Sequence, residues 1–279
     1  MDVASSVLTE LRGKKINILV TNDDGAHALG LWTLVEELVT IGKVLVVAPD
    51  REQSGVGTSV TLHRPLRVKE LRPHVAGVKA YSVEGTPADC VILGLHSLSK
   101  EKIDLVVSGI NEGANLGNDV LISGTVGAAM QAYFNSVPAI AISVAELRDP
   151  IFGPAAKLAA VLGSKLAAAE LPAKSFFNVN LPNLPLNQLK GVAVTRLGER
   201  SYVDSVEEHV DTRGKSYYWI VRGNAEWDMA ENSDIWALRQ GLASITPLQS
   251  DVASASQLIS LAQLTDSIFE ALMASSKTL

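Results

Sequence analysis

From residue 16 to residue 180, short β-branched apolar runs alternate with longer segments that repeat their apolar residues every 3.6 positions, and turn residues mark the junctions. Residues 16–20 form a predicted strand. Residues 29–38 form a predicted helix with Leu31, Leu34, Val35 and Leu38 on one face, and residues 44–48 form the next strand. A helix then opens at Thr86-Pro87 and runs to about residue 98, where Thr suits the N-cap and Pro the first helical position. Strand 104–108, helix 124–135, strand 139–143, helix 155–169 and strand 176–180 follow. The strand runs are nearly continuous in apolar residues rather than alternating, which marks parallel strands covered on both faces.

This order predicts an α/β chain with a doubly wound, Rossmann-like, mostly parallel sheet. Ligands of such sheets bind beyond the carboxyl ends of the strands, so loops 21–28, 49–59 and 108–125 are the ones to inspect. After about residue 190 the segments become strand-like around Asp211-Thr212-Arg213-Gly214, which predicts a hairpin over residues 202–222. Residues 256–273 read as a closing helix with Ser256 as its N-cap. The expected organisation is an N-terminal extension (1–15), a Rossmann-like core (16–190), and a C-terminal part (191–279) holding the hairpin arm, a returning segment and the terminal helix.

Composition narrows the function. With 47% hydrophobic and 19% charged residues the chain has the balance of a folded globular protein. Its net charge of −6 argues against a surface for nucleic-acid polymers, which needs clustered Lys and Arg. A small anionic substrate requires only a local positive site, which a metal ion supplies. The single cysteine, Cys90, rules out an internal disulfide and a cysteine-rich zinc site, and its apolar surroundings in sequence suit a buried thiol. No apolar stretch reaches the ~18–20 residues that span a bilayer, and residues 1–15 do not resemble a signal peptide. The expectation is a cytoplasmic enzyme without a membrane partner.

Three loops carry candidate chemistry, each with a plainer alternative. The first strand runs into Asn22-Asp23-Asp24-Gly25, whose carboxylates can converge on a hard cation such as Mg²⁺ or Mn²⁺. The same four residues are also good turn chemistry. The second strand ends in the polar loop around Ser54-Gly55-Val56-Gly57, which offers hydroxyl and backbone groups or is simply a solvated connection. It is neither a dinucleotide fingerprint nor a phosphate-binding loop. The third strand ends in Ser108-Gly109-Ile110-Asn111, followed by Asn115-Leu116-Gly117 and by Ser123-Gly124-Thr125 before an apolar helix. A helix N-terminus suits a phosphate, and equally an ordinary cap.

Together these loops, with Ala48-Pro49-Asp50-Arg51, Gly85-Thr86-Pro87-Ala88-Asp89-Cys90 and the late segment Asp234-Ile235-Trp236-Ala237 through Thr246-Pro247-Leu248, resemble the SurE family of 5′-nucleotidases over roughly residues 16–250. The resemblance implies a metal-dependent phosphomonoesterase acting on nucleoside 5′-monophosphates, with 3′-monophosphates and short polyphosphate as further substrates. It maps one divalent cation to Asp23, Asp24, Ser54 and Asn111, and the substrate pocket to Asn22, Asn115, Ser123, Gly124 and Thr125. Asp23 or Asp24 would orient or deprotonate the attacking water. It also implies exchange of C-terminal segments in a homodimer or dimer of dimers, and six of the chain's nine Tyr and Trp residues fall between Tyr202 and Trp236. Three departures stand out: the extension before the first strand, Gln131 where Glu is frequent, and Ile122 where an aromatic is common. The last bears on base preference.

Competing readings are weaker. An aspartyl-nucleophile phosphatase resembling the haloacid dehalogenases needs Asp-x-Asp, whereas Asp23 and Asp24 are adjacent. A serine hydrolase lacks its Gly-x-Ser-x-Gly elbow. His27 has no identifiable orienting carboxylate, and the other four histidines have no metal-ligand spacing. A non-catalytic nucleotide-binding module would keep residues 123–125 but not the carboxylates.

Overall fold

The computed structural model describes residues 16–201, 204–222, 226–227, 230–251 and 255–275; the expected extension 1–15 and Tyr202 lie outside them. The chain divides into two compact units, one ending at Leu248 and one beginning at Gln249.

In the first unit a nine-stranded sheet has the order β3-β4-β2-β1-β5-β6-β7-β13-β8. Its strands are β1 (Ile16–Thr21), β2 (Gly42–Pro49), β3 (Val68–Leu71), β4 (Lys79–Val83), β5 (Leu105–Glu112), β6 (Ala139–Val144), β7 (Phe176–Leu181), β8 (Gly191–Val194) and β13 (Leu242–Pro247). The six from β4 to β7 are mutually parallel. At one edge β3 is antiparallel to β4, and at the other β13 runs antiparallel to β7 and parallel to β8.

The period of two along each strand divides the core. Ile18 and Val20 of β1 pack on one face with Leu31, Leu34 and Leu38 of α1 (Leu29–Leu38) and with Ala155 and Ala159 of α4 (Phe152–Ala167). Leu19, between them, packs on the other face with Cys90 and Val91 of α2 (Pro87–Leu93) and Val126 and Ala129 of α3 (Gly124–Phe134). Burying each large aliphatic side chain stabilises the fold by about 1.5–3 kcal/mol, so the doubly covered sheet is the expected outcome of near-continuous apolar strands. The α2 start is fixed by a capping box: Thr86 Oγ1 accepts from Asp89 N (3.1 Å) while Asp89 Oδ2 accepts from Thr86 N (2.9 Å).

The hairpin forms as a separate two-stranded sheet of β10 (Asp204–Val210) and β11 (Ser216–Arg222). Its turn is held by Asp211 Oδ1, which accepts from the N–H groups of Arg213 and Lys215. β9 (Arg200–Ser201) pairs with β12 (Glu226–Trp227), and a short helix α5 (Asp234–Arg239) leads into β13.

In the second unit the closing segment is two helices, α6 (Ala255–Ala262) and α7 (Thr265–Ser275). The break has a local cause. Leu264 N bonds Leu261 O in a tightened turn, and the Thr265 hydroxyl donates to Ala262 O (3.1 Å), competing with the helical ladder. Among the described residues no helix is long and apolar enough to cross a membrane.

Candidate functional site

Strand order reverses between β1 and β5: from β1 the chain first builds outward through β2 and β4, then returns to β5, β6 and β7. The crevice beyond the carboxyl ends of β1 and β5 is therefore the topological switch point. Thr21 and Ser108 lie in register there, so the loop starting at Asn22 leaves the sheet beside the end of β5 that carries Asn111. β5 runs four residues further than the apolar run suggests, to Glu112, with a shift of its pairing to β6 between Ser108 and Asn111.

Asp23 is nearly fully buried at this edge. Its carboxylate receives the Thr125 N–H at Oδ2 (3.0 Å) and the Thr125 hydroxyl at Oδ1. The approach is close enough that a Cβ on Gly124 would lie 2.9 Å from Asp23 Cβ, so only glycine fits there. The Asp23 carbonyl accepts from Gln53 N (2.7 Å), drawing loop 51–59 over the site. That loop is pinned twice more. Gly57 N donates to Ile122 O (2.9 Å), and Ser59 O accepts from the Thr86 hydroxyl (2.6 Å).

Four carboxylates make the crevice anionic. Burial pushes the Asp23 carboxyl up against the Thr125 hydrogen bonds, with Glu52 adding repulsion. Burial, then Asp23 and Glu112, push Asp24 up to about 7. Asp24 Oδ2 is buried without a hydrogen-bond partner among the described residues. Two neutral oxygens complete the set. Asn111 spends its amide hydrogens on Gly113 O (2.7 Å) and Glu112 O (3.2 Å), leaving Oδ1 as acceptor, and Ser54 Oγ donates to Glu52 Oε1 (2.7 Å). An all-oxygen set with an unused buried carboxylate oxygen fits a hard divalent cation. Among the described residues no three His, Cys, Asp or Glu side chains group to hold a metal, so any cation here depends on Ser54 and Asn111 as well as the aspartates.

Asn115 is clamped from the sheet. Asn180 Oδ1 accepts its N–H (2.8 Å), the amides of Asn178 and Asn180 donate to its carbonyl (2.8 and 3.0 Å), and its own amide donates to Ser143 Oγ (2.9 Å). Two residues on, Gly117 N donates to the buried Asp234 at the start of α5, which also accepts from Gly198 N and Ile235 N. Between these walls lies an open cavity of about 670 Å³.

Comparisons with known proteins decide the family. The family model described as Survival protein SurE matches residues 18–204. The chain belongs to the SurE family. It is 48% identical to the 5′-nucleotidase SurE of Dehalococcoides mccartyi (strain CBDB1) over 84% of this chain and 88% of that one. It is 46% identical to that of Vibrio parahaemolyticus over 88% and 93%. The crystal structure of the SurE protein from Aquifex aeolicus superposes with a TM-score of 0.76 at 40% identity, covering 89% of this chain and 99% of that chain.

In this SurE family member Asp23, Ser54, Asn111, Asn115 and Ser123 line the cavity, whereas Asn22, Asp24, Gly124 and Thr125 do not. Asn22 is fully buried and its amide closes the turn on Gly25 O (2.9 Å). Thr125, expected beside a phosphate, is fully buried and gives its hydrogens to Asp23 instead. Ser123 both lines the cavity and caps α3 through Val126 N (3.2 Å). Sequence reasoning missed residues 145–148, which follow β6, and Leu238 of α5. The switch-point rule pointed to the first: β6 is the next parallel strand and ends at the same edge. Leu238 carried no signal, since only the tertiary fold returns α5 to the crevice.

Proposed function

We propose that the chain is a divalent-cation-dependent phosphomonoesterase that converts nucleoside 5′-monophosphates to nucleoside and inorganic phosphate. The observation that carries it is the convergence, at one sheet edge, of an aspartate pair, two neutral oxygen donors and the N-terminus of α3. The names of the relatives support the nucleotide as substrate. Asp23, Asp24, Ser54 and Asn111 would hold the cation, Mg²⁺ or Mn²⁺, which when bound supplies charge neutralisation for the phosphoryl oxygens and acidifies water.

The remaining work falls to the chain. The Ser123 hydroxyl, at the N-terminus of α3 where the helix dipole favours an anion, receives a phosphoryl oxygen, and Asn115 on its clamp borders the same cavity. Water oxygen bonds to phosphorus as the ester P–O bond breaks; the leaving ester oxygen ends as the nucleoside hydroxyl, and the water gives up its proton. Asp24 is the better acceptor of that proton, because both oxygens of Asp23 already receive hydrogens from Thr125. These groups address a phosphoryl group and not a sugar position, so the reading extends to 3′-monophosphates and short polyphosphate. The hairpin of β10 and β11 is the arm through which two copies assemble into a dimer or dimer of dimers.

Phosphate release from the four nucleoside 5′-monophosphates, with chelator and with Mg²⁺ or Mn²⁺ restored, tests the reading. Activity that vanishes with chelator, returns with the ion and is lost in Asp24→Asn is expected. Full turnover in chelator would overturn the cation dependence.

A further inference from the structure

Strand β7 reads Phe-Phe-Asn-Val-Asn-Leu, and all six of its residues are buried. Phe177, Val179 and Leu181 join the core shared with α1 and α4, whereas Asn178 and Asn180 take the opposite face and are wholly buried there. Asparagine is depleted in strands, and a strand of a doubly covered sheet is ordinarily apolar throughout.

Folding alone does not account for the pair. The Asn178 amide donates to Asn115 O, but its Oδ1 is buried without a hydrogen-bond partner among the described residues. Ser244 and Thr246 stand directly across from the two asparagines in β13, and their hydroxyls bond Thr195 instead (2.7 Å each). A buried acceptor left unpaired costs stability that an apolar side chain in its place would not. Asn180 is committed to one residue, since its Oδ1 accepts from Asn115 N while its amide donates to Asn115 O. A backbone N–H can only donate and a carbonyl can only accept, so the orientation of that carboxamide is fixed. Ser143, in register with Asn180 on β6, takes one amide hydrogen of Asn115. Sheet residues therefore hold both the backbone and the side chain of Asn115, and the second hydrogen of its carboxamide is left for the cavity that Asn115 lines. Neither Asn178 nor Asn180 lines that cavity, so each can act only through Asn115.

We propose that Asn178 and Asn180 are positioning residues of the phosphoryl site, fixing the Asn115 backbone so that its remaining amide N–H meets a phosphoryl oxygen. The assignment rests on the phosphomonoesterase reading and deepens it by naming what aims this donor. A donor held in place before the substrate arrives needs no reorganisation as charge develops on the phosphoryl oxygens, and a strand holds it more exactly than a loop would.

The test uses the full-length protein with saturating Mg²⁺, titrated calorimetrically with inorganic phosphate, with Tm and AMP turnover recorded alongside. Asn178→Val removes the bond to Asn115 together with the unpaired acceptor. It should leave Tm little changed while phosphate affinity falls roughly two- to tenfold, the equivalent of one neutral hydrogen bond. Asn180→Asp keeps the acceptor for Asn115 N, loses the donor to Asn115 O, and should weaken phosphate at least as much. In Asn115→Ala the clamp persists but the donor is gone, so adding Asn178→Val should cost no further phosphate affinity. A full further loss in that double variant would overturn the assignment, as would phosphate affinity that stays intact in both single variants while Tm falls. A wild-type protein that binds phosphate but hydrolyses no AMP would end the phosphomonoesterase reading alone, because the binding comparison still decides the positioning role.

Discussion

Thr125 contributes to the site without lining it. Its hydroxyl and N–H reach Asp23, 102 positions earlier in the chain, and set the carboxylate's orientation from behind. Thr125→Val keeps the shape and deletes the O–H, at a cost of about 1.5–3 kcal/mol for a bond to a charged group, or roughly ten- to hundredfold in Mn²⁺ affinity by calorimetry. Thr125→Ser should retain most of it; equal losses in both would sink the idea. The neighbouring Asp24 predicts a pH effect. Its folded value of about 7 exceeds the ordinary 3.8, so the folded chain holds this proton more tightly than the unfolded one. That contribution to stability is complete below about pH 4 and is lost as pH rises through about 7. In chelator, Tm should fall across this window, while Mn²⁺ or Asp24→Asn flattens the slope; parallel slopes in wild type and variant would refute it. The aspartates were legible in the sequence, as adjacent carboxylates at a strand end. The duty of Thr125 was not, because a Ser-Gly-Thr before an apolar helix signals a cap and a phosphate, and nothing local encodes a partner a hundred residues away.

At the scale of elements, α3 is the piece against which the other loops are set. A Cβ on Gly127 would lie 2.2 Å from the Gly57 carbonyl oxygen, so the loop bearing Ser54 rests directly on this helix. Gly127→Ala should destabilise the fold by about 1–3 kcal/mol through overpacking and, by lifting that loop, weaken the cation more than the folding loss explains. Unaltered Mn²⁺ binding with lowered Tm would show the contact to be structural alone. The element pattern followed from periodicity because strands such as β1 carry both faces of the core in alternate residues. The further run of β5 to Glu112 did not, since Gly109 and the polar residues after Ile110 look like a loop, and only pairing with β6 continues the strand.

Across the whole molecule, the hairpin leaves apolar surface uncovered. On one of its faces Val206, Val210, Tyr218 and Ile220 are all more than half exposed, and an isolated two-stranded sheet is at best marginal in water. Deleting residues 204–222 across a short glycine linker should lower the mass seen by light scattering while Mn²⁺ binding persists. A full-length protein already monomeric at micromolar concentration would end the assembly proposal. Asp234 has a different kind of consequence. It anchors Gly117, 117 positions upstream, so at ribosomal rates of about 5–20 residues per second the segment holding Asn115 exists for roughly 6–25 seconds before its anchor is made. During that interval the aspartates are already synthesised but the wall opposite them is not fastened. A nascent chain stalled before Asp234 should therefore be catalytically silent, and activity during translation should appear as a late step rather than rise with chain length.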